Sequence, residues 1–162
     1  MFGKLFSRKE KEVIPDSPIG FGYKNKWLAI KSSDAKKVAS FLELKKVQRS
    51  SWQDGVTFGY EKAVFITPEI NGWILVLGID ISDVETEETR ILLKKVSQEF
   101  GECQVFQTHR IVEYHFWGLA INGEVKRLYA YLGESGENIV VEGEPTEIEK
   151  KYNLVNTFSK EA

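Results

Sequence analysis

Cys103, His109, Glu113 and His115 are the residues whose types could do chemistry. Cys103 is the lone cysteine, and the chain has no histidine besides these two. A thiol, an imidazole and a carboxylate on one face would supply a nucleophile, its base and an orienting acid. Whether they meet depends on strand register. If residues 109–111 form a three-residue loop, Cys103 pairs with Trp117 and Val105 with His115. Cys103 and His115 are then diagonal neighbours, about 7–8 Å apart at the backbone, with Glu113 two residues away on the same face. A two-residue loop turns Cys103 to the opposite face and dissolves the set. Without that alignment Cys103 reads as an ordinary buried thiol. A small hydrolase or transferase using Cys103, His115 and Glu113 is therefore the alternative reading, conditional on register.

His109, Glu113 and His115 also suggest a metal, but their spacing opposes it. Along one strand the two histidines stand about 20 Å apart, at ~3.3 Å per residue. Metal ligands converge to about 2 Å from a single ion. No metal and no cofactor is expected. An ion pair of Arg110 and Glu113 across the loop, with Glu113 holding His115, is the plainer use of these charges.

These residues sit on strands of a meander running from Gly101 to Gly133. Asn122-Gly123 favours the positive φ values of a two-residue hairpin turn. A regular ladder from that turn pairs Trp117 with Leu128, His115 with Ala130, Gly118 with Arg127, Phe116 with Tyr129 and Tyr114 with Tyr131. Alternation then gives two faces. One carries Glu113, His115, Trp117, Leu119, Leu128, Ala130 and Leu132; the other carries Tyr114, Phe116, Arg127, Tyr129 and Tyr131. Both are rich in apolar side chains, so layers cover both sides or the tyrosine-bearing face recognises something. A small-ligand module lined by Tyr114, Arg127, Tyr129 and Tyr131 is a further alternative.

The rest of the chain supplies the scaffold. Pro15, Pro18, Gly20 and Gly22 mark 13–23 as loop. Residues 26–31 read as a strand. Ser33 is the expected N-cap of a helix to about Leu44, with Ala35, Val38, Ala39 and Leu42 as its buried stripe. Around Asp54-Gly55, residues 45–60 suggest short strands. Asn71-Gly72 predicts a second hairpin between AVFITPEI and WILVLGID. Pro68 places its strand at an edge or bulge, and the apolar WILVLGI belongs inside the sheet. Ser82 and Glu85 fit a capping box for a helix that buries Leu92, Val96 and Phe100, with Ile91 beside them, and stops at Gly101. A short strand near Ile139–Val141 and a short helix from Pro145 to about Tyr152 follow. Residues 1–12 read as a flexible leader, 13–155 as a single domain and 156–162 as a flexible tail. A pseudo-repeat of 33–80 in 84–133 is a weaker pattern.

With 162 residues and 42% hydrophobic content, the chain suits one soluble domain with a real core. The net charge of −2 opposes general nucleic-acid binding. Charge is uneven: residues 1–50 hold twelve Lys/Arg against five Asp/Glu, and the remainder hold ten against nineteen. Six glutamates fall in 134–149, with no Lys or Arg, and five acids in 80–88. Such a surface either faces water or docks a basic partner through complementary fields. Glu134 and Glu137 are the acids expected to contribute to binding. One cysteine excludes an internal disulfide, which fits a reducing cytoplasm. No transmembrane run is present. No phosphate-binding, dinucleotide, serine-hydrolase or zinc-protease signature occurs.

The run from Phe100 and Gly101 through Thr108, His109, Arg110, Glu113, Tyr114, His115 and Trp117, then Arg127, Tyr129, Tyr131, Gly133 and Glu134, resembles a group of uncharacterised bacterial proteins. The resemblance spans the second half of the chain. It implies a bacterial, intracellular protein and carries no activity with it. The reading at this level is an α+β domain: a mostly antiparallel sheet of about seven strands with two main helices and a short C-terminal one. The expected function is cytoplasmic binding, in its most concrete form an immunity-type inhibitor of a basic protein. Self-association into a homo-oligomer is left open.

Overall fold

The computed structural model describes residues 13–14, 16–61, 63–83 and 86–153. The expected leader, 1–12, and tail, 156–162, lie outside them. The chain runs β1 (Asn25–Lys31), α1 (Ala35–Phe41), α2 (Trp52–Glu61), β2 (Phe65–Ile66), β3 (Trp73–Leu77), α3 (Glu87–Phe100), β4 (Glu102–His109), β5 (Tyr114–Ile121), β6 (Glu124–Leu132), β7 (Glu137–Glu142) and α4 (Glu147–Lys151). The strands form one sheet in the order β2-β3-β1-β4-β5-β6-β7, with every neighbouring pair antiparallel. The architecture is α+β with seven strands, as the residue pattern predicts.

One face of the sheet is the main core. Leu28, Ile30, Ile74, Val76, Cys103, Val105, Phe116, Ala120, Leu128 and Ala130 are buried there against Val38 of α1 and Leu93 and Val96 of α3. The opposite face is covered at its β2–β3 end, where Trp52 and Val56 of α2 pack on Phe65 and Leu77. Ile19, Phe21, Trp27 and Leu75 border that second cluster. β3 thus feeds both layers, and β2, two residues before Pro68, forms an edge of the sheet.

Both Asn-Gly hairpins form. Asn71 and Gly72 have φ of 52° and 86°, and Asn122 and Gly123 have 49° and 83°, the left-handed pair that a tight hairpin needs. Gly101 ends α3 with φ 87°, and its N–H donates to the carbonyl of Ser97 at 2.8 Å.

Three expectations are corrected. α1 is capped by Asp34, one residue later than Ser33, because its carboxylate accepts the N–H groups of Lys36 and Lys37 at 2.9 and 3.0 Å; the helix ends at Phe41. Residues 52–61 form a helix rather than strands about a turn. Its cap comes from far away: Asp16 accepts from the N–H groups of Trp52 (2.5 Å) and Gln53 (2.9 Å), and those two bonds, Gln53 first, hold the carboxyl below its usual range. Gly55 and Gly59 sit within it because a Cβ at Gly55 would lie 2.2 Å from the Phe65 ring, and one at Gly59 3.1 Å from Leu77. Finally, α3 starts at Glu87 with Thr86 as N-cap and without a side-chain cap; Glu85 lies outside the described residues. Its buried side chains are Thr89, Leu93, Val96 and Ser97, and Ile91 is exposed. Leu93 turns inward because Gly118 leaves a hollow: a Cβ there would meet Leu128, Val105 and Leu93 within 2.7 to 3.4 Å.

Candidate functional site

Register settles the fate of the cysteine. β4 and β5 pair Cys103 with Ala120, Val105 with Gly118 and Thr108 with His115, leaving residues 110–113 as a four-residue turn. Glu113 closes it in the left-handed region, at φ 49°. The three-residue loop is not formed, and Cys103 lies on the core face while His115 lies on the other. Cys103 is fully buried. Burial, with a smaller contribution from the Glu102 charge, pushes its thiol far above the normal range, so it is held as an inert thiol. The nucleophile, base and acid of the cysteine reading are not brought together.

Arg110 does not lock Glu113. Its guanidinium lies over the ring of Tyr23, 5.1 Å from the centroid. The Glu113 carbonyl accepts from Gly133 N–H at 2.9 Å, tying the β4–β5 turn to the β6–β7 turn. Among the described residues no cluster of histidine, cysteine and acidic side chains could hold a metal.

The second register change creates the site. The ladder from the Asn122-Gly123 turn is regular for Ile121–Glu124 and Ala120–Val125, and then shifts so that Leu119 faces Arg127. Lys126 is the extra residue of a bulge. Every later pair moves by one: Trp117 faces Tyr129, His115 faces Tyr131, Phe116 faces Ala130 and Tyr114 faces Leu132. The expected faces are therefore corrected. Tyr114 and Phe116 belong to the core side, where Phe116 is buried and Tyr114 packs at the margin. His115, Trp117, Tyr129 and Tyr131 share the other side. The predicted quartet of Tyr114, Arg127, Tyr129 and Tyr131 does not line one pocket.

The four rings pack as one unit. His115 stacks on Tyr131 (5.0 Å between centroids), Trp117 packs on Tyr129 with the rings tilted by 43° (4.7 Å), and Trp117 and Tyr129 both reach Tyr131 (6.2 and 5.9 Å). Phe106 lies directly across from Trp117 on β4 and stacks on Trp27 of β1 at 5.4 Å; Phe21 meets Trp27 edge-on. An aromatic strip thus crosses β1, β4, β5 and β6. Tyr129 is fully buried within it, while Phe106, His115, Trp117 and Tyr131 are each part-exposed. Phe106 and Trp117 are site residues that sequence reasoning missed. Their cross-strand pairing was readable only with the four-residue turn in hand.

Arg127 anchors one end of the strip and is not free to bind. Its Nε and Nη2 donate to the Glu149 carboxylate at 3.0 and 2.7 Å, and Nη1 donates to the Gly143 carbonyl at 2.9 Å. Both side chains are almost fully buried. Glu149 also accepts the Thr146 N–H at 2.8 Å, completing a capping box on α4. Burial alone would raise the Glu149 pKa; the Arg127 and Thr146 hydrogen bonds outweigh it and leave the carboxyl below its usual range.

Electrostatics at the other end are different. His115 Nδ1 shares a 2.9 Å hydrogen bond with Thr108 Oγ1. Burial lowers the imidazole pKa, opposed by the nearby Glu113 charge. Tyr131 is raised by burial first, then by Tyr129 and Glu113. Glu113 and Glu134 are exposed on the two adjoining turns and border the aromatic strip; Glu137 is exposed at the start of β7 and pairs with Leu132, on the side of the sheet that carries Tyr114. Glu142 and Glu147 are partly spoken for, by Arg90 and Lys150. No helix among the described residues is long and apolar enough to cross a membrane. No protein-family model, curated protein or solved structure matches the chain.

Proposed function

We propose that this chain is a binding protein that docks a positively charged protein on the aromatic strip of β5 and β6. The observation that carries this reading is the grouping of His115, Trp117 and Tyr131 on one part-exposed face beside the acidic turn residues Glu113 and Glu134. Aromatic side chains supply large contact area at little cost in ordering and are enriched at interface centres. Carboxylates at the rim attract a basic partner and speed its encounter. Lysine or arginine side chains of the partner fit both elements, over a ring face and against a carboxylate. An immunity-type inhibitor, working in the cytoplasm by covering the basic surface of an enzyme, is the most concrete form of this function.

The test is affinity capture from the native cell with the wild-type chain and with the Glu134→Lys variant, whose change lies on an exposed turn residue. The reading expects a basic protein retained by the wild type, at least tenfold depleted on the variant, and released by salt. A partner retained equally by both chains, or one that is acidic, contradicts it.

A further inference from the structure

The chain also carries a basic surface that the docking function leaves unused. Residues 31–49 hold six Lys/Arg against two acids, Asp34 and Glu43, and Asp34 is occupied as the α1 cap. Lys31 and Lys37 pair with Glu102 and Glu99. Lys36, Lys45, Lys46 and Arg49 are exposed and join no ion pair among the described residues. The last three lie in the loop after α1. Glu43 and Lys46 turn that loop through the left-handed region, at φ of 55° and 58°, which is uncommon for residues other than glycine. Between Lys46 and Arg49, Val47 is 70% exposed. The loop thus presents one apolar side chain flanked by three cations.

These groups complement the β5–β6 face, where His115, Trp117 and Tyr131 adjoin Glu113 and Glu134. Those two acids also join no ion pair among the described residues. The two surfaces of one copy do not meet. Val38 packs α1 on the core side of the sheet, and Phe41, at the end of α1, meets Phe100 just before β4 begins. Glu113 follows the far end of β4, whose eight residues span roughly 25 Å at ~3.3 Å each. A net charge of −2 sets up little general repulsion between copies. Resting on the docking reading of the β5–β6 face, we infer that a second copy of this chain docks there. Lys45, Lys46 and Arg49 of one copy meet the rings and the Glu113 and Glu134 carboxylates of the next, and Val47 packs against the exposed parts of Trp117 and Tyr131. The contact joins unlike patches and is therefore heterologous. A foreign basic protein competes with the loop for the same face.

The experiment is sedimentation velocity of the full chain over a concentration series, with two variants that each remove one patch. One is Lys45→Gln/Lys46→Gln/Arg49→Gln and the other Glu134→Lys, all at exposed positions. The inference expects reversible self-association of the wild type. It should weaken at least tenfold when ionic strength rises from about 0.05 M to about 0.5 M, which shortens the Debye length roughly threefold. Each variant alone should stay monomeric. Their equimolar mixture should form one-to-one pairs, because the loop variant keeps the face and the face variant keeps the loop. In that mixture the Trp117 and His115 signals of the isotopically labelled loop variant should shift by NMR. A wild type that is monomeric at low salt, self-association that persists in either variant, or a mixture that does not pair each overturns the inference. A wild type that stays monomeric yet captures a foreign basic protein overturns this inference alone and leaves the docking function standing.

Discussion

His115 lies nearly flat on Tyr131, with ring planes 28° apart, and the contact exists because Lys126, between Val125 and Arg127 on the same strand as Tyr131, is looped out of the ladder. A regular ladder would set His115 across from Ala130 and send the tyrosines to the core side. One extra residue thus converts a core-facing tyrosine pair into half of a surface aromatic cluster. The stack keeps the imidazole partly desolvated, which favours its neutral form.

The pH response of His115 follows. Its pKa in the folded chain lies below the ordinary imidazole value of about 6.5. A depressed pKa means the unfolded chain binds the proton more readily. The stabilising contribution is therefore fully present above about pH 6.5 and is lost as pH falls through the folded pKa. NMR titration of the ring is expected to give a midpoint below that of an unfolded peptide. Glu113→Gln, which removes the opposing charge, moves the midpoint lower still. A midpoint above about 6.5 contradicts the assignment.

The Arg127–Glu149 pair predicts a large and non-additive loss. Removing either partner strands a buried charge, so Glu149→Ala and Arg127→Ala should each destabilise by roughly 3–5 kcal/mol in urea unfolding. The double variant should lose much less than the sum of the two. Because the Glu149 pKa is depressed, its contribution is present above the usual glutamate value of about 4.3 and disappears as pH falls through the folded value. Glu149→Gln should flatten the acid limb of the stability profile.

Cys103 should behave as a core residue. Thiol labelling of the native chain is expected at the rate of global or local opening, with complete labelling only in denaturant. Rapid labelling of native protein would revive the cysteine-based alternative.

Gly55→Ala tests the packing of α2. Helix propensity alone favours alanine by roughly 1 kcal/mol. The Phe65 ring, 2.2 Å from the position of the new Cβ, must move, and overpacking typically costs about 1–3 kcal/mol. A net loss in stability is expected, measured by thermal or urea unfolding; a gain would show that Phe65 has room to yield.

The readable parts of the fold were those with local causes. Asn71-Gly72, Asn122-Gly123 and Gly101 announce their conformations by residue type, and the structure holds all three where the pattern places them. α2 was not readable because its cap, Asp16, stands 36 residues upstream and because Gly55 and Gly59 argue against a helix until Phe65 and Leu77 are seen beneath them. The inward turn of Leu93 depends on Gly118, in another strand. The candidate site was legible in its residue types but not in its grouping. His115, Tyr129 and Tyr131 are conspicuous in the sequence, whereas an exposed lysine at position 126 gives no sign that it forms a bulge.

The most direct test of protein docking uses the four tryptophans as reporters. Trp117 lies in the aromatic strip, and Trp52, the first residue of α2, lies in the cluster with Val56, Phe65 and Leu77 that Trp27 borders. On addition of the captured basic partner, NMR of the indole N–H groups should show Trp117 shifting together with the His115 ring, while Trp52 stays in place. An unmoved Trp117, with shifts at Trp52 or along α3 instead, would contradict the assignment of the β5–β6 face as the docking surface.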